Sequence, residues 1–319
     1  MPLLRLRSAL VSSRRSRLRW RAAVLAIGAL LSVLPAAAQR PDACPREPDA
    51  AVFAPETSQA PRVRDSLVLR TPSGTALHTF AFPNERGETV TGLLAVPATP
   101  GRHAALVSLS GFPVNAARAQ AGALELAEHG FVVALVWPPV ARPDGTGTGS
   151  PLTFTLADSA GAVGYVRDIR RTVDLLAARP DVDPARIGLT GGSYGGATGA
   201  LVAGVEPRLR AVALWSFDGG PVDYVTDPEG PGLPEDVTPE EAARWTAAMQ
   251  PIEPGCFAGR ARMPVLLQFG RTDEILRNRA ARTAARFHAP DVRWYDAGHR
   301  LPAEATQARI AWLRSHLQD

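Results

Sequence analysis

The sequence predicts an α/β domain with a mostly parallel central sheet, antiparallel strands at its N-terminal side, helices on both faces and a small cap insertion. Three observations predict it. After Pro100, short continuous apolar runs alternate with amphipathic helical stretches, the pattern of βαβ units around a parallel sheet. Before them come three closely spaced strand patterns, SLVLR, LHTFAFP and ETVTGLLAVP, separated by Pro-Ser-Gly and Asn-Glu-Arg-Gly turns. Residues 218–258, rich in proline, glycine and acids, interrupt the rhythm between two strands.

The elements follow in order. Residues 39–65 are rich in proline and arginine without a hydrophobic period and read as an extended lead-in to a domain over 66–319. HAALVSLSG (103–111) is a buried-strand run, 116–129 a helix and FVVALVW (131–137) the next strand. Residues 157–180 form a long amphipathic helix with Val163, Val166, Ile169, Val173 and Leu176 at helical spacing. RIGLTG (186–191) is a strand, 194–204 a helix and LRAVALWSF (209–217) a strand. The insertion holds one short helix around 240–249. MPVLLQFG (263–270) is a strand, 275–288 a helix, VRWYDAG (292–298) a strand and 303–317 the last helix.

Charge excludes several functions. All 35 basic residues among the 319 are arginine, which rules out a P-loop lysine, a Schiff-base lysine and a Ser–Lys dyad. Seven of those arginines lie in residues 1–39 with no acid, leaving 28 against 31 acids in the rest. The remainder is therefore not a basic, nucleic-acid-binding chain. The first segment joins an arginine-rich region, an apolar run over 22–34 and Pro35-Ala36-Ala37-Ala38-Gln39, which reads as a signal peptide cleaved after Ala38. Its apolar run is short for a membrane span, which needs roughly 17 to 25 residues, so no stable membrane insertion is expected after cleavage. A retained anchor is the alternative. Ser13-Arg14-Arg15-Ser16-Arg17-Leu18-Arg19 resembles a twin-arginine export signal except at Arg17, so both that route and the general secretory route stay open. Either leads to the periplasm or outside.

In such an oxidising compartment Cys44 and Cys256, the two cysteines, can form a disulfide; two unrelated thiols are the other reading. No Cys/His cluster suggests a structural zinc site, and the chemistry below requires no metal or organic cofactor.

That chemistry centres on RIGLTGGSYGG. Ser193 in Gly191-x-Ser193-x-Gly195 follows a strand and precedes a helix, the setting of a nucleophile elbow. A glycine-softened turn with a bystander serine is the bland alternative. A serine hydroxyl needs a base oriented by an acid. His299, in YDAGHRL after the last strand, lies at the sheet edge that carries the elbow. His78, His103, His129, His288 and His316 fall within other elements or on surfaces. Asp273 follows strand MPVLLQFG on the same edge; Asp218, after LRAVALWSF, is its rival. The N–H of Tyr194 is one expected oxyanion donor and that of Phe112, in SGFP after HAALVSL, the second. GTGTGS (145–150) is read either as a site-facing loop or as a plain flexible one, and Trp215 and Phe217 either as acyl-pocket lining or as core.

From about Ser66 onward the chain resembles the α/β-hydrolase superfamily, near its dienelactone-hydrolase-like and prolyl-oligopeptidase-like branches. LLAVPATPGRHAALVSLSG, ARIGLTGGSYGG, LQFGRTDEI and YDAGHRL carry the resemblance. It implies an α/β-hydrolase fold and a triad of Ser193, Asp273 and His299. Serine in place of the cysteine of dienelactone hydrolases argues against that reaction, and the chain has no room for the propeller of prolyl oligopeptidases. The reading is an exported serine hydrolase cleaving carboxylic esters through an acyl-enzyme, its partner a small ester or short peptide. A peptidase or amidase on the same triad, or a catalytically silent binding or envelope protein, are the alternatives.

Overall fold

The computed structural model describes residues 44, 48–57, 59–141, 149–276 and 278–318. Cys44–Asp319 forms one compact unit; the expected signal peptide and cleavage after Ala38 fall in Met1–Ala43, outside the described residues. Among the described residues nine strands build the sheet: β1 (Arg64–Arg70), β2 (Ala76–Pro83), β3 (Thr89–Val96), β4 (His103–Leu109), β5 (Val132–Val136), β6 (Val182–Gly192), β7 (Val212–Trp215), β8 (Val265–Gly270) and β9 (Asp291–Tyr295). Their order is β1-β2-β3-β5-β4-β6-β7-β8-β9. β1 to β3 pair antiparallel, β3 meets β5 antiparallel, and every pair from β5 to β9 is parallel.

The helices are α1 (Ala116–Glu128), α2 (Leu156–Ala177), α3 (Tyr194–Val205), α4 (Pro221–Thr226), α5 (Pro239–Met249), α6 (Pro254–Phe257), α7 (Arg279–Ala284) and α8 (Ala303–Leu317). They cover both faces. Leu313 and Leu317 of α8 and Ala123 and Ala127 of α1 pack with Leu106 and Val133 on one side. Ile169 and Val173 of α2 and Leu201 of α3 pack with Val107 and Leu189 on the other. The continuous apolar runs of β4, β5 and β8 follow from this, since helices bury both faces of each strand. Starts are capped where the sequence offers acceptors: Asn115 accepts from Arg118 N–H, and Thr238 with Glu241 forms a capping box on α5.

Four expectations need correction. The lead-in is not simply extended: Ala51–Phe53 makes a 3-10 turn, and Phe53 is buried edge-on against Phe257 at 5.4 Å. Arginines of α2 hold its carbonyls, Arg167 donating to Val52 at 3.1 Å, Arg170 to Phe53 at 2.9 Å and Arg171 to Thr57 at 2.7 Å. One apolar anchor and a row of donors order a segment with no period of its own. Second, β6 begins at Val182, because residues 183–186 bulge out between two registers with β4. Pro184, lacking an N–H, sits in that bulge. Third, only Arg279–Ala284 of 275–288 is α-helical. Its start is displaced because Asp273 Oδ1 accepts from the N–H groups of Ile275 and Leu276 at 3.0 and 3.2 Å, holding a turn instead. Fourth, LRAVALWSF is a strand only over Val212–Trp215, and Ser216 leaves it at φ 48.

The insertion carries α4, α5 and α6. α5 lies against α2, and α6 against α3. Cys256 in α6 is disulfide-bonded to Cys44. Among the described residues no helix is long and apolar enough to cross a membrane.

Candidate active site

β6 delivers Ser193 at its C-terminal end, and α3 begins at the next residue. The chain must reverse between them, and Ser193 takes φ 54 and ψ −121, a region that costs a side-chain-bearing residue of order 1–3 kcal/mol. Flanking contacts hold it there. Ser193 N–H donates to Trp215 O at 3.0 Å, tying the elbow to β7. Gly191 and Gly195 are required by close approach: a Cβ on Gly191 would meet the Gly195 carbonyl, and one on Gly195 would lie 2.5 Å from the Leu109 oxygen. Strand and helix nearly touch behind the serine, so the hydroxyl is pushed outward and left half-exposed.

Two loops bring the partners. Arg271 N–H donates to Tyr295 O at 2.9 Å and Thr272 N–H to Ala297 O at 3.1 Å, which laces the segment after β8 to the segment after β9. Asp273 and His299 lie on these laced segments. His299 Nδ1 stands 2.9 Å from Asp273 Oδ2, and His299 Nε2 stands 3.0 Å from Ser193 Oγ. A carboxylate only accepts, so Nδ1 carries the hydrogen and Nε2 presents its lone pair to the serine hydroxyl. The Asp273 side chain is 2% exposed and that of His299 26%, so the acid is sealed while the imidazole reaches the opening. Asp273 Oδ1, occupied by the Ile275 and Leu276 N–H groups, is fixed in orientation.

The loop after β4 lies beside the serine, since a Cβ on Gly111 would be 3.2 Å from Ser193 Cβ. Phe112 follows it and is joined to Pro113 by a cis peptide bond. Neither Phe112 N–H nor Tyr194 N–H donates to another group among the described residues. Tyr194 N–H also belongs to the first turn of α3, where the helix dipole adds positive potential. Its side chain stacks on Tyr165 at 6.3 Å, and burial, aided by the charge of Asp158, pushes its phenol up to about 12.

Other candidates separate from this group. Asp218 is buried and ion-paired with the Arg279 Nε at 3.0 Å; burial raises its pKa to about 6 against the pull of that arginine. Phe217 is core, 1% exposed between Phe269 and Phe287. Trp215 packs against Gly192 and carries the Arg309 guanidinium 3.8 Å above its ring. Of GTGTGS, residues 145–148 lie outside the described residues, while Ser150 Oγ donates to Leu152 O at 2.6 Å. Asp158 also binds Phe154 N–H and, 87 residues away, the Trp245 indole; an acid in a first helical turn is the one local signal of this group in the sequence.

Comparison with known proteins agrees with this architecture. Residues 122–217, from within α1 to just past β7 and including Ser193, match the prolyl oligopeptidase family. The fold is similar to acetyl xylan esterase 1 from Thermoanaerobacterium sp. JW/SL YS485, with TM-score 0.65 and 18% identity over 85% of this chain and 94% of that one. The acetyl xylan esterase of Paenibacillus sp. R4 aligns with TM-score 0.65 and 16% identity over 84% and 92%. The esterase domain of a Rhodothermus marinus protein aligns with TM-score 0.53 and 21% identity over 76% and 99%. No curated protein matches the chain by sequence. The expected α/β-hydrolase fold is borne out, as is the likeness to its prolyl-oligopeptidase-like branch over the matched residues.

Proposed function

We propose that this α/β-hydrolase-fold protein is a serine hydrolase that cleaves carboxylic esters through an acyl-enzyme. One observation carries the reading: the unbroken chain from Ser193 Oγ through the His299 imidazole to Asp273, at 3.0 and 2.9 Å, starting from a serine at φ 54. His299 Nε2 takes the hydroxyl proton as Oγ attacks the ester carbonyl, and the imidazolium formed is stabilised by Asp273. The tetrahedral oxyanion accepts from Tyr194 and Phe112 N–H, each such donor being worth about 3 kcal/mol in the transition state. His299 returns the proton to the leaving alkoxide, leaving acyl-Ser193 and the free alcohol. Water then attacks the acyl carbonyl as Nε2 takes its proton, and collapse releases the acid while Nε2 passes the proton to Ser193 Oγ. The likeness in fold to esterases favours esters over amides. The prolyl oligopeptidase family match favours the second reading, peptide or amide cleavage by the same residues. Ser193→Ala is expected to abolish hydrolysis of p-nitrophenyl acetate while circular dichroism stays native; wild-type turnover by that variant sinks the assignment. Short peptide p-nitroanilides assayed alongside separate the two substrate classes.

We also propose that residues 1–38 export the protein and that 218–258 acts as a cap over the site. The Cys44–Cys256 disulfide supports an oxidising destination. Appearance of the full-length product in the cytosolic fraction, uncleaved, would count against export.

A further inference from the structure

Asp158 stands in the first turn of α2, a place where an acid ordinarily serves the helix dipole. Here its carboxylate gathers donors from two other segments. Thr153 N–H reaches Oδ1 at 3.0 Å and Oδ2 at 2.9 Å, and the Thr153 hydroxyl donates to Oδ1 at 2.6 Å. Phe154 N–H donates to Oδ2 at 2.9 Å, and the indole N–H of Trp245 donates to the same oxygen at 2.8 Å. Trp245 belongs to α5, inside the insertion. Phe154 stands at φ 56, a left-handed conformation that an aromatic residue adopts only when held there, and its ring packs on Trp245 at 5.1 Å. One carboxylate therefore fastens the insertion to the segment following β5 and keeps Phe154 in its strained turn.

The assembly shares its apolar cluster with Tyr194, the residue after the nucleophile. Leu152, Phe154 and Tyr194 are half-buried and pack, with Trp245, into the same apolar cluster. Tyr165 of α2 stacks on Tyr194, whose N–H neighbours Ser193. Asp158 lies close enough for its charge to be felt at the Tyr194 phenol. Trp245 is 1% exposed and Phe154 half-buried, so of the two rings Phe154 is the more accessible. The donors on both carboxylate oxygens leave Asp158 little capacity to greet a polar ligand.

We propose that Asp158 is a positioning residue that locks Phe154 against Trp245 as an aromatic wall beside Tyr194, and that this wall receives an apolar acyl group of the substrate. The proposal rests on the ester reading above. It is tested by kcat and KM for p-nitrophenyl acetate and butyrate, with melting temperature recorded for each variant. In Phe154→Ala the butyrate-to-acetate ratio of kcat/KM falls about tenfold or more, as expected for losing contact with two methylenes. Asp158→Asn lowers the ratio in the same direction, through KM for butyrate, and the double variant falls no further than Phe154→Ala alone. An unchanged ratio in Asp158→Asn, even with a lowered melting temperature, overturns the proposal, as do additive losses in the double variant. Labelling of Ser193 by methyl and butyl p-nitrophenyl phosphonates distinguishes the two readings. If no ester is hydrolysed but the butyl-to-methyl labelling ratio falls in Asp158→Asn, the ester reading fails and the wall stands. Absence of labelling by either probe overturns both.

Discussion

Replacing Asp273 with asparagine should disable the site by turning the imidazole around, and the structure sets the size of the effect. Two backbone donors, Ile275 and Leu276 N–H, point at Oδ1 from 3.0 and 3.2 Å. An amide placed there keeps its oxygen toward them, which directs its NH2 group to His299 Nδ1. Nδ1 must then accept, so the imidazole hydrogen moves to Nε2 and faces Ser193 Oγ, where it blocks proton abstraction. Flipping the amide restores the productive tautomer but sets NH2 against two backbone donors in a sealed place. Leaving each unsatisfied costs about 1–3 kcal/mol. Losing the carboxylate that stabilises the imidazolium adds about 1–2 kcal/mol more, the excess of a charge-assisted hydrogen bond over a neutral one. The sum is about 5 kcal/mol, near a 10⁴-fold fall in the acylation rate at about 1.4 kcal/mol per decade. Single-turnover acylation by p-nitrophenyl acetate measures it directly, with circular dichroism to show that the fold persists. A rate within tenfold of wild type would refute the tautomer argument. Asp218→Asn is the contrast: it weakens the hold on buried Arg279 and costs stability, yet the folded fraction keeps its kcat.

Three other outcomes are expected. Gly195→Ala sets a methyl 2.5 Å from the Leu109 carbonyl oxygen, so soluble expression or melting temperature should drop sharply; a variant as stable as wild type contradicts the close approach. Cys256→Ser opens a cross-link spanning 212 residues and should cost about 3 kcal/mol, roughly 6–12 °C in thermal midpoint, read by calorimetry. Glu253 is buried and its pKa is raised from 4.5 to about 8, because burial outweighs the bonds it accepts from Val222 and Asp223 N–H. The folded state therefore binds the extra proton between those values, and this group's contribution to stability is present below the lower one and lost as pH rises through the upper. Urea unfolding of wild type against Glu253→Gln should show the wild-type advantage shrinking from pH 5 to about 8.5, and a pH-independent difference would contradict the shift.

Much of the architecture is legible in the chain because the signals are local. β4, β5 and β8 read as strands from uninterrupted apolar runs, since a strand covered by helices on both faces has no polar side to show. Ser193 stands out because a turn this sharp demands small neighbours, and Gly191 and Gly195 supply them two residues away on each side. Asp273 and His299 can be placed because each follows a strand run at the same sheet edge. Local signals fail where a distant partner decides. Ile275 and Leu276 continue a helical pattern, yet the Asp273 carboxylate takes their N–H groups and holds a turn. Phe53 sits in an aperiodic lead-in and becomes core only because Phe257 lies across from it.

The sequence by itself determined the sheet's parallel half, the elbow and the order of serine, acid and histidine, all written in periods and turns a few residues long. Which acid meets the imidazole was decided only by tertiary structure: Arg279 claims Asp218, and lacing between the segments after β8 and β9 carries Asp273 to His299. The same holds for Asp158, Phe154 and Trp245, whose bonds cross from α2 to the insertion. A hydrogen bond spanning 87 residues leaves no period in the chain, because its geometry exists only after the helices between its ends have packed.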